Sequence, residues 1–162
     1  MKDLTLNYTK ALDLGATSIT GDLKATSGGA ITQTGGAMSV DGNTTLDAGN
    51  NAITLDNVAN VLTGNVTITK AAAAEVVNSA ALKIAGVDAS SLKLTTSGGS
   101  ITQSGAIKVS GTTTLSAGAN AITLTDSANN FNLVNVAGTP SALSLRDTDA
   151  IELGSIDTGS LT

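Results

Sequence analysis

The chain has 162 residues, 41% of them hydrophobic, yet only one Phe, one Tyr and no Trp, with 18 Gly and a single Pro. A core without rings must come from Val, Ile, Leu and Ala, which suits a solenoid whose coils stack only on their neighbours; a charged fraction of 13% excludes charge-driven disorder. A net charge of −5 with no His and no Cys excludes a basic nucleic-acid track, disulfides and thiolate metal sites.

No apolar run reaches membrane-spanning length, and Met1–Lys10 show no signal-peptide pattern. In chain order, short β-type segments recur every seven to ten residues. After ALDLG at 11–15 come AITQT, AMSV, TTLDA, AITLD, VLTG and VTIT, ending at Thr69. ALKIA at 81–85 then opens a second series: SLKLTT, SITQS, AIKVS, TTLSA, AITLT and FNLVNV. Most alternate apolar and polar residues, the period of a strand with one buried face. Ile31, Met38, Val40, Leu46, Ile53, Leu55, Val66 and Ile68 are expected to point inward, and Thr32, Ser39, Thr45 and Thr54 outward. Gly, Asn, Asp and Ser fill the gaps as turn residues. Lys70–Ala80, KAAAAEVVNSA, is the least regular stretch. Its alanines suit a helical turn, but it is too short to hold a helix alone, so a loop or continued coil is expected.

Longer repeats overlie this rhythm. TSGGAITQT at 26–34 returns as TSGGSITQS at 96–104, and TTLDAGNNAITL at 44–55 as TTLSAGANAITL at 113–124. The units run over about 4–73 and 74–142, with a partial third over 143–162, in one domain spanning 1–162. Ile31, Leu46 and Ile53 recur as Ile101, Leu115 and Ile122, and are assigned to the core. Asn51 and Asn60 recur as Asn120 and Asn129, and are assigned to turns, where the side chain bonds the backbone and tolerates left-handed conformations. Phe131 replaces Leu62 and is expected to fill the core of one coil.

An antiparallel sandwich would pair successive strands, whereas a β-helix pairs each strand with its counterpart one coil on. The long repeat favours the latter: an all-β parallel β-helix with about three strands and roughly 20–25 residues per coil. One unit is then three coils, the chain about seven, and identical blocks one unit apart share a face. At a strand spacing of roughly 4.8 Å the rod would be about 30–35 Å long. Neither end reads as a cap, so the chain is expected to be a segment whose partners are neighbouring repeats, with end-to-end self-association through open strand edges as a further possibility.

The chemistry of a site is sparse. Asp41, Asp47 and Asp56 become Ser110, Ser116 and Thr125 in the second unit, so these carboxylates read as a solvated surface, not as calcium ligands. Asp147 and Asp149, spaced to share a strand face beside Arg146 and Glu152, are the weak candidates for a cation. Ser and Thr abound, but without His or Cys no nucleophile has its base. The SGG stretches at 27–29 and 97–99 lack the GxxxxGK[ST] pattern of a phosphate loop. Neither an enzyme nor a cofactor is expected. Thr32/Thr34, Thr67/Thr69 and Thr112/Thr114 have the T-x-T spacing of ice-binding solenoids, but they fall in different strands of the unit, and Thr is in any case a good strand former.

SGGAITQTGG followed by GNTTLDAGNNAITLDNVAN, and SGGSITQSGAIKVSGTTTLSAGANAITLTDSANNF, resemble the repeats of filamentous haemagglutinin-like exoproteins of two-partner secretion. The resemblance covers roughly residues 11–162. It implies a right-handed β-helix, secreted or at a bacterial cell surface, serving as a stalk or fibre, with no catalytic residues in the repeats. The expected function is therefore a structural segment of an adhesin. The alternative is direct binding of carbohydrate or a host surface protein by an exposed face, and a self-assembling filament subunit is a lesser one. No nucleic acid or membrane insertion is expected.

Overall fold

A computed structural model describes residues 1–157. The last five positions of the expected third unit, 158–162, lie outside the described residues. Short alternating segments punctuated by glycine become strands because each buries one face and hands its backbone groups to the neighbouring coil. The first coil holds β1 (Leu4–Tyr8), β2 (Leu12–Asp13) and β3 (Ser18–Ile19). The second holds β4 (Leu23–Ser27), β5 (Ile31–Thr32) and β6 (Ser39–Val40), and the third β7 (Thr44–Asp47), β8 (Ala52–Leu55) and β9 (Val61–Leu62). Each strand pairs in parallel with its counterpart one coil on, giving three faces. Leu23 stands between Leu4 and Thr44 on the first, Ile31 between Leu12 and Ile53 on the second, and Val40 between Ile19 and Leu62 on the third.

From the fourth coil the strands fuse. β10 (Asn65–Asn78) and β11 (Leu82–Thr96) each bend round a corner and serve two faces. β12 (Ile101–Gln103) and β13 (Ile107–Ser116), then β14 (Ile122–Leu124) and β15 (Asn130–Ala137), then β16 (Leu143–Leu145) and β17 (Glu152–Ile156), make the remaining coils. The register shifts at these corners, between Ile68 and Ala71, Ala89 and Leu92, and Val109 and Thr112. The result is a parallel β-solenoid of about seven turns without a helix among the described residues. The stretch Lys70–Asn78 is strand throughout, because Ala73–Val76 pairs with Ala52–Leu55 below and Ala73–Asn78 with Ser91–Thr96 above.

The core is a set of axial rows. Leu55, Val76, Leu94, Leu115 and Val136 stack in one of them and are all shielded from solvent. Ile31, Leu46, Ile53, Ile101, Leu115 and Ile122 are each at most 1% exposed, and Phe131 is buried as well. Burial of one such side chain is worth about 1.5–3 kcal/mol, and each touches the coil above and the coil below. Gly42 permits close stacking at a corner: an added Cβ there would meet the Gly21 carbonyl oxygen at 2.4 Å.

One expectation is overturned. Identical blocks one unit apart do not share a face. The row through Ile31 and Ile53 continues to Ala74, Leu92, Thr113 and Val134. Ile101 and Ile122 belong to a different row, between Leu82 and Leu143. Leu46 likewise stands in the row of Ala25, Ile68 and Val87, whereas Leu115 stands between Leu94 and Val136. The reason is coil length. Three coils up from Ile31 the chain has reached only Leu92, and Ile101 comes nine residues later. A unit therefore holds three coils and part of a fourth.

Thr44 and its equivalent Thr113 point into the core, 1% and 0% exposed, with hydroxyls that have no hydrogen-bond partner among the described residues. A buried unpaired hydroxyl costs about 1–3 kcal/mol. Thr113→Val keeps the shape and removes that penalty, so it should stabilise the chain by about 1 kcal/mol and raise Tm by roughly 2–4 °C. Calorimetry checks this; an unchanged or lower Tm contradicts it.

Candidate functional site

The most elaborate polar cluster is inside the rod, and it occurs twice. In the first unit Gln33 leaves β5 and turns inward. Its Nε2 donates to Asn60 Oδ1 at 2.6 Å and to the Gly36 carbonyl at 2.7 Å. Asn60 Nδ2 donates back to Gln33 Oε1 at 2.9 Å and to the Val77 carbonyl at 3.2 Å, while Asn60 Oδ1 also accepts the Met38 N–H at 2.8 Å. The second unit repeats this. Gln103 Nε2 donates to Asn129 Oδ1 at 2.8 Å and to the Gly105 carbonyl, and Asn129 Nδ2 returns to Gln103 Oε1 at 2.9 Å and reaches the Arg146 carbonyl at 3.1 Å. Ile107 N–H takes the place of Met38 N–H. Asn60 and Asn129 are both 0% exposed. Each amide pair thus ties three successive coils together.

Beside each pair the third-face strand row ends on a side chain. Leu62 N–H donates to Asn78 Oδ1 at 2.8 Å, and Asn78 Nδ2 donates to the Leu62 carbonyl at 3.1 Å. One unit later Phe131 N–H donates to Asp147 Oδ1 at 2.8 Å. Backbone bonds recur around them: Ser79 N–H to the Asn60 carbonyl, Thr148 N–H to that of Asn129. Asn78 and Asp147 therefore stand where a strand would, at the step from one unit to the next. This corrects the placing of Asp147 and Asp149 on one strand face. β16 ends at Leu145, both residues lie in a turn, and the Asp147 carboxylate takes the N–H groups of Phe131 and Asp149. Among the described residues no three metal-ligating side chains come together.

The turn asparagines are simpler. Asn51 Nδ2 donates to the Ala48 carbonyl at 2.9 Å, and Asn120 Nδ2 to that of Ala117 at 3.0 Å. The left-handed position belongs to Gly49 (φ 56°) and Gly118 (φ 55°), not to asparagine, since no non-glycine residue among those described has positive φ. Gly lacks the Cβ that makes that region unfavourable, so the Asn supplies only the hydrogen bond. Asn60 and Asn129 also close turns, their N–H groups donating to the Asn57 and Asp126 carbonyls, but their side chains are buried and join neighbouring coils. Gln33 and Gln103 end the repeated ITQ, two residues after the inward Ile31 and Ile101, so strand alternation itself turns them inward; they depart only from the apolar-in, polar-out pattern.

The outer surface offers less. A shallow groove of about 660 Å³ runs along the corner of the long strands, lined among others by Lys70, Asp88, Ser90, Lys108, Ser110 and Asn130. Outward rows change character with each coil: Thr32 and Thr54 give way to Glu75 and Lys93 before Thr114. A flat threonine array for ice is thus interrupted. Glu75 and Lys93 form an ion pair at 2.8 Å with Lys93 half exposed, worth little in water. Asp13 accepts from the Thr34 hydroxyl, the Thr34 N–H and the Gly15 N–H, bonds that hold its carboxyl below the usual range. No helix among the described residues is long and apolar enough to cross a membrane.

A family model described as repeats of unknown function (DUF5649) matches residues 1–69 and again residues 71–137. The chain belongs to this family, and the two matches follow the two units. No curated protein matches the chain. No solved structure matches it either.

Deleting one member of an amide pair strands its partner in the core. Asn129→Leu or Gln103→Met alone should each destabilise the chain by about 2–3 kcal/mol, and the double substitution by less than their sum. A double-mutant cycle by chemical denaturation checks this; additive losses would show that the pair is not coupled. For Asp13 the sign is that of a depressed carboxylate. Its stabilising contribution is complete above the unfolded pKa and is lost as pH falls through the lower folded value. Wild type should therefore lose more stability than Asp13→Asn on acidification from pH 5 to pH 2, and parallel losses would count against the Thr34 bonds.

Proposed function

We propose that this repeat segment is a rigid stalk of a bacterial adhesin, secreted or held at the cell surface, whose contribution is length. The observation that carries the reading is what is kept between units. Core aliphatics, turn glycines and the Gln–Asn pair recur with their contacts, while surface charge drifts: Asp41, Asp47 and Asp56 give way to Ser110, Ser116 and Thr125. Selection for a binding or catalytic surface would preserve outward residues; selection for a rod preserves inward ones. Parallel coils at about 4.8 Å per step convert each unit into a fixed increment of length, and the buried amide pairs resist separation of the coils they join. The resemblance to filamentous haemagglutinin-like repeats supports the same assignment and its location.

Direct binding is the second reading, favoured by the polar groove along the corner. Its lining has hydrogen-bonding groups and two lysines but no aromatic ring to stack on a sugar. Glycan arrays and host-cell binding assays with this chain separate the two. The stalk reading expects no saturable, specific binding. A glycan or cell ligand whose binding falls on Lys70→Ala or Lys108→Ala would replace it.

A further inference from the structure

Both steps between units are made alike. The strand that opens the second unit pairs through Ala74 with Ile53, a second-face residue of the first unit. The strand that opens the third pairs through Leu143 with Ile122, the equivalent of Ile53. The strand after it also moves: Ile84 stands on Val66, and Leu153 on the equivalent Val134. First-face and second-face strands thus exchange places at each junction, with Asn78 and then Asp147 closing the row that stops.

Two exchanges restore the start. The row from Leu4 runs through Leu23, Thr44, Val66 and Ile84 to Gln103. Its neighbours Thr102, Thr123 and Ser144 carry it to β16. Ser144 is the equivalent of Thr5, 139 positions on, and stands on the same face. Two units therefore occupy seven coils, and one unit three and a half.

We propose that a chain built of these units is a two-sided rod, in which each position of the unit returns on the opposite flank one unit on. It returns to its own flank after two units, seven coils or about 34 Å further along. The two flanks carry equivalent positions of successive units, displaced by about 17 Å. Lys24 and Lys93, both exposed, are one such pair: Lys24 lies in the row of Thr5 and Thr45, Lys93 in that of Glu75 and Thr114. This goes beyond the stalk reading and does not depend on it.

The chain has no cysteine, so spin labels can be placed in pairs. Thr54→Cys with Thr114→Cys marks residues three coils apart in one row, about 14 Å. Thr54→Cys with Thr123→Cys marks sequence equivalents. Dipolar EPR should give the longer distance for the second pair. If the units stack in phase, the order reverses and the proposal fails. The pair Lys24→Cys with Lys93→Cys repeats the test at two exposed positions: a separation well beyond 14 Å is expected, and one near it overturns the two-sided rod.

Discussion

Inside this rod the backbone groups of a strand find their partners one coil away. That single requirement shapes the rest. It allows a core as thin as one aliphatic side chain per strand position, since Leu94 need only meet Val76 below and Leu115 above. It admits no ring in most coils, because a larger side chain would have to find room in the neighbouring coils too. It also explains the corner glycines. At Gly42 the coil below approaches so closely that a Cβ would strike its backbone, and widening the gap there would stretch the ladder on both adjacent faces.

The same requirement makes a mismatch of lengths visible. Coils close when the ladder closes, and the spacing between partners varies from Val66–Ile84 to Thr44–Val66 as corners gain or lose residues. The unit of sequence is not a whole number of such coils. Each new unit therefore starts on a face of another kind and brings its own turns to the other corner. The exchange leaves a short row without its next strand, and a buried N–H without a partner would be costly. Asn78 and Asp147 fill that place with a side-chain oxygen. The Gln–Asn pairs beside them satisfy the carbonyls and N–H groups that the irregular corner leaves facing inward. Each amide is fully engaged, which is the condition under which a buried polar network stabilises and does not merely persist.

These two features bear differently on function. Regular coils give length and stiffness. The half-turn per unit gives symmetry, so that equivalent positions of successive units face opposite sides. Surface residues that drift between units, such as Asp47 and Ser116, are then read from opposite flanks and not stacked in a column.

Much of this was legible in the residues. Period-two alternation named the inward positions Ile31, Leu46, Ile53 and Val66, because a strand's side chains alternate whatever its partner is. The glycine and asparagine punctuation marked the turns for the same local reason, and the duplicated blocks marked the units. What lay beyond the sequence was everything that depends on which strand meets which. Ile31 and Ile101 read alike but lie in different rows, since the row is set by the summed length of the intervening coils and not by the residue. Asp147 and Asp149 read as a strand-face pair, yet Asp147 is spent on a backbone N–H sixteen residues away. Asn60 read as a turn residue, and only the folding of three coils onto one another brings its amide face to face with that of Gln33. The sequence by itself determined the local conformation, the buried side and the repeat, because these follow from nearest-neighbour sterics and hydrophobicity; the tertiary structure alone decided phase, because phase is a closure condition on the whole coil.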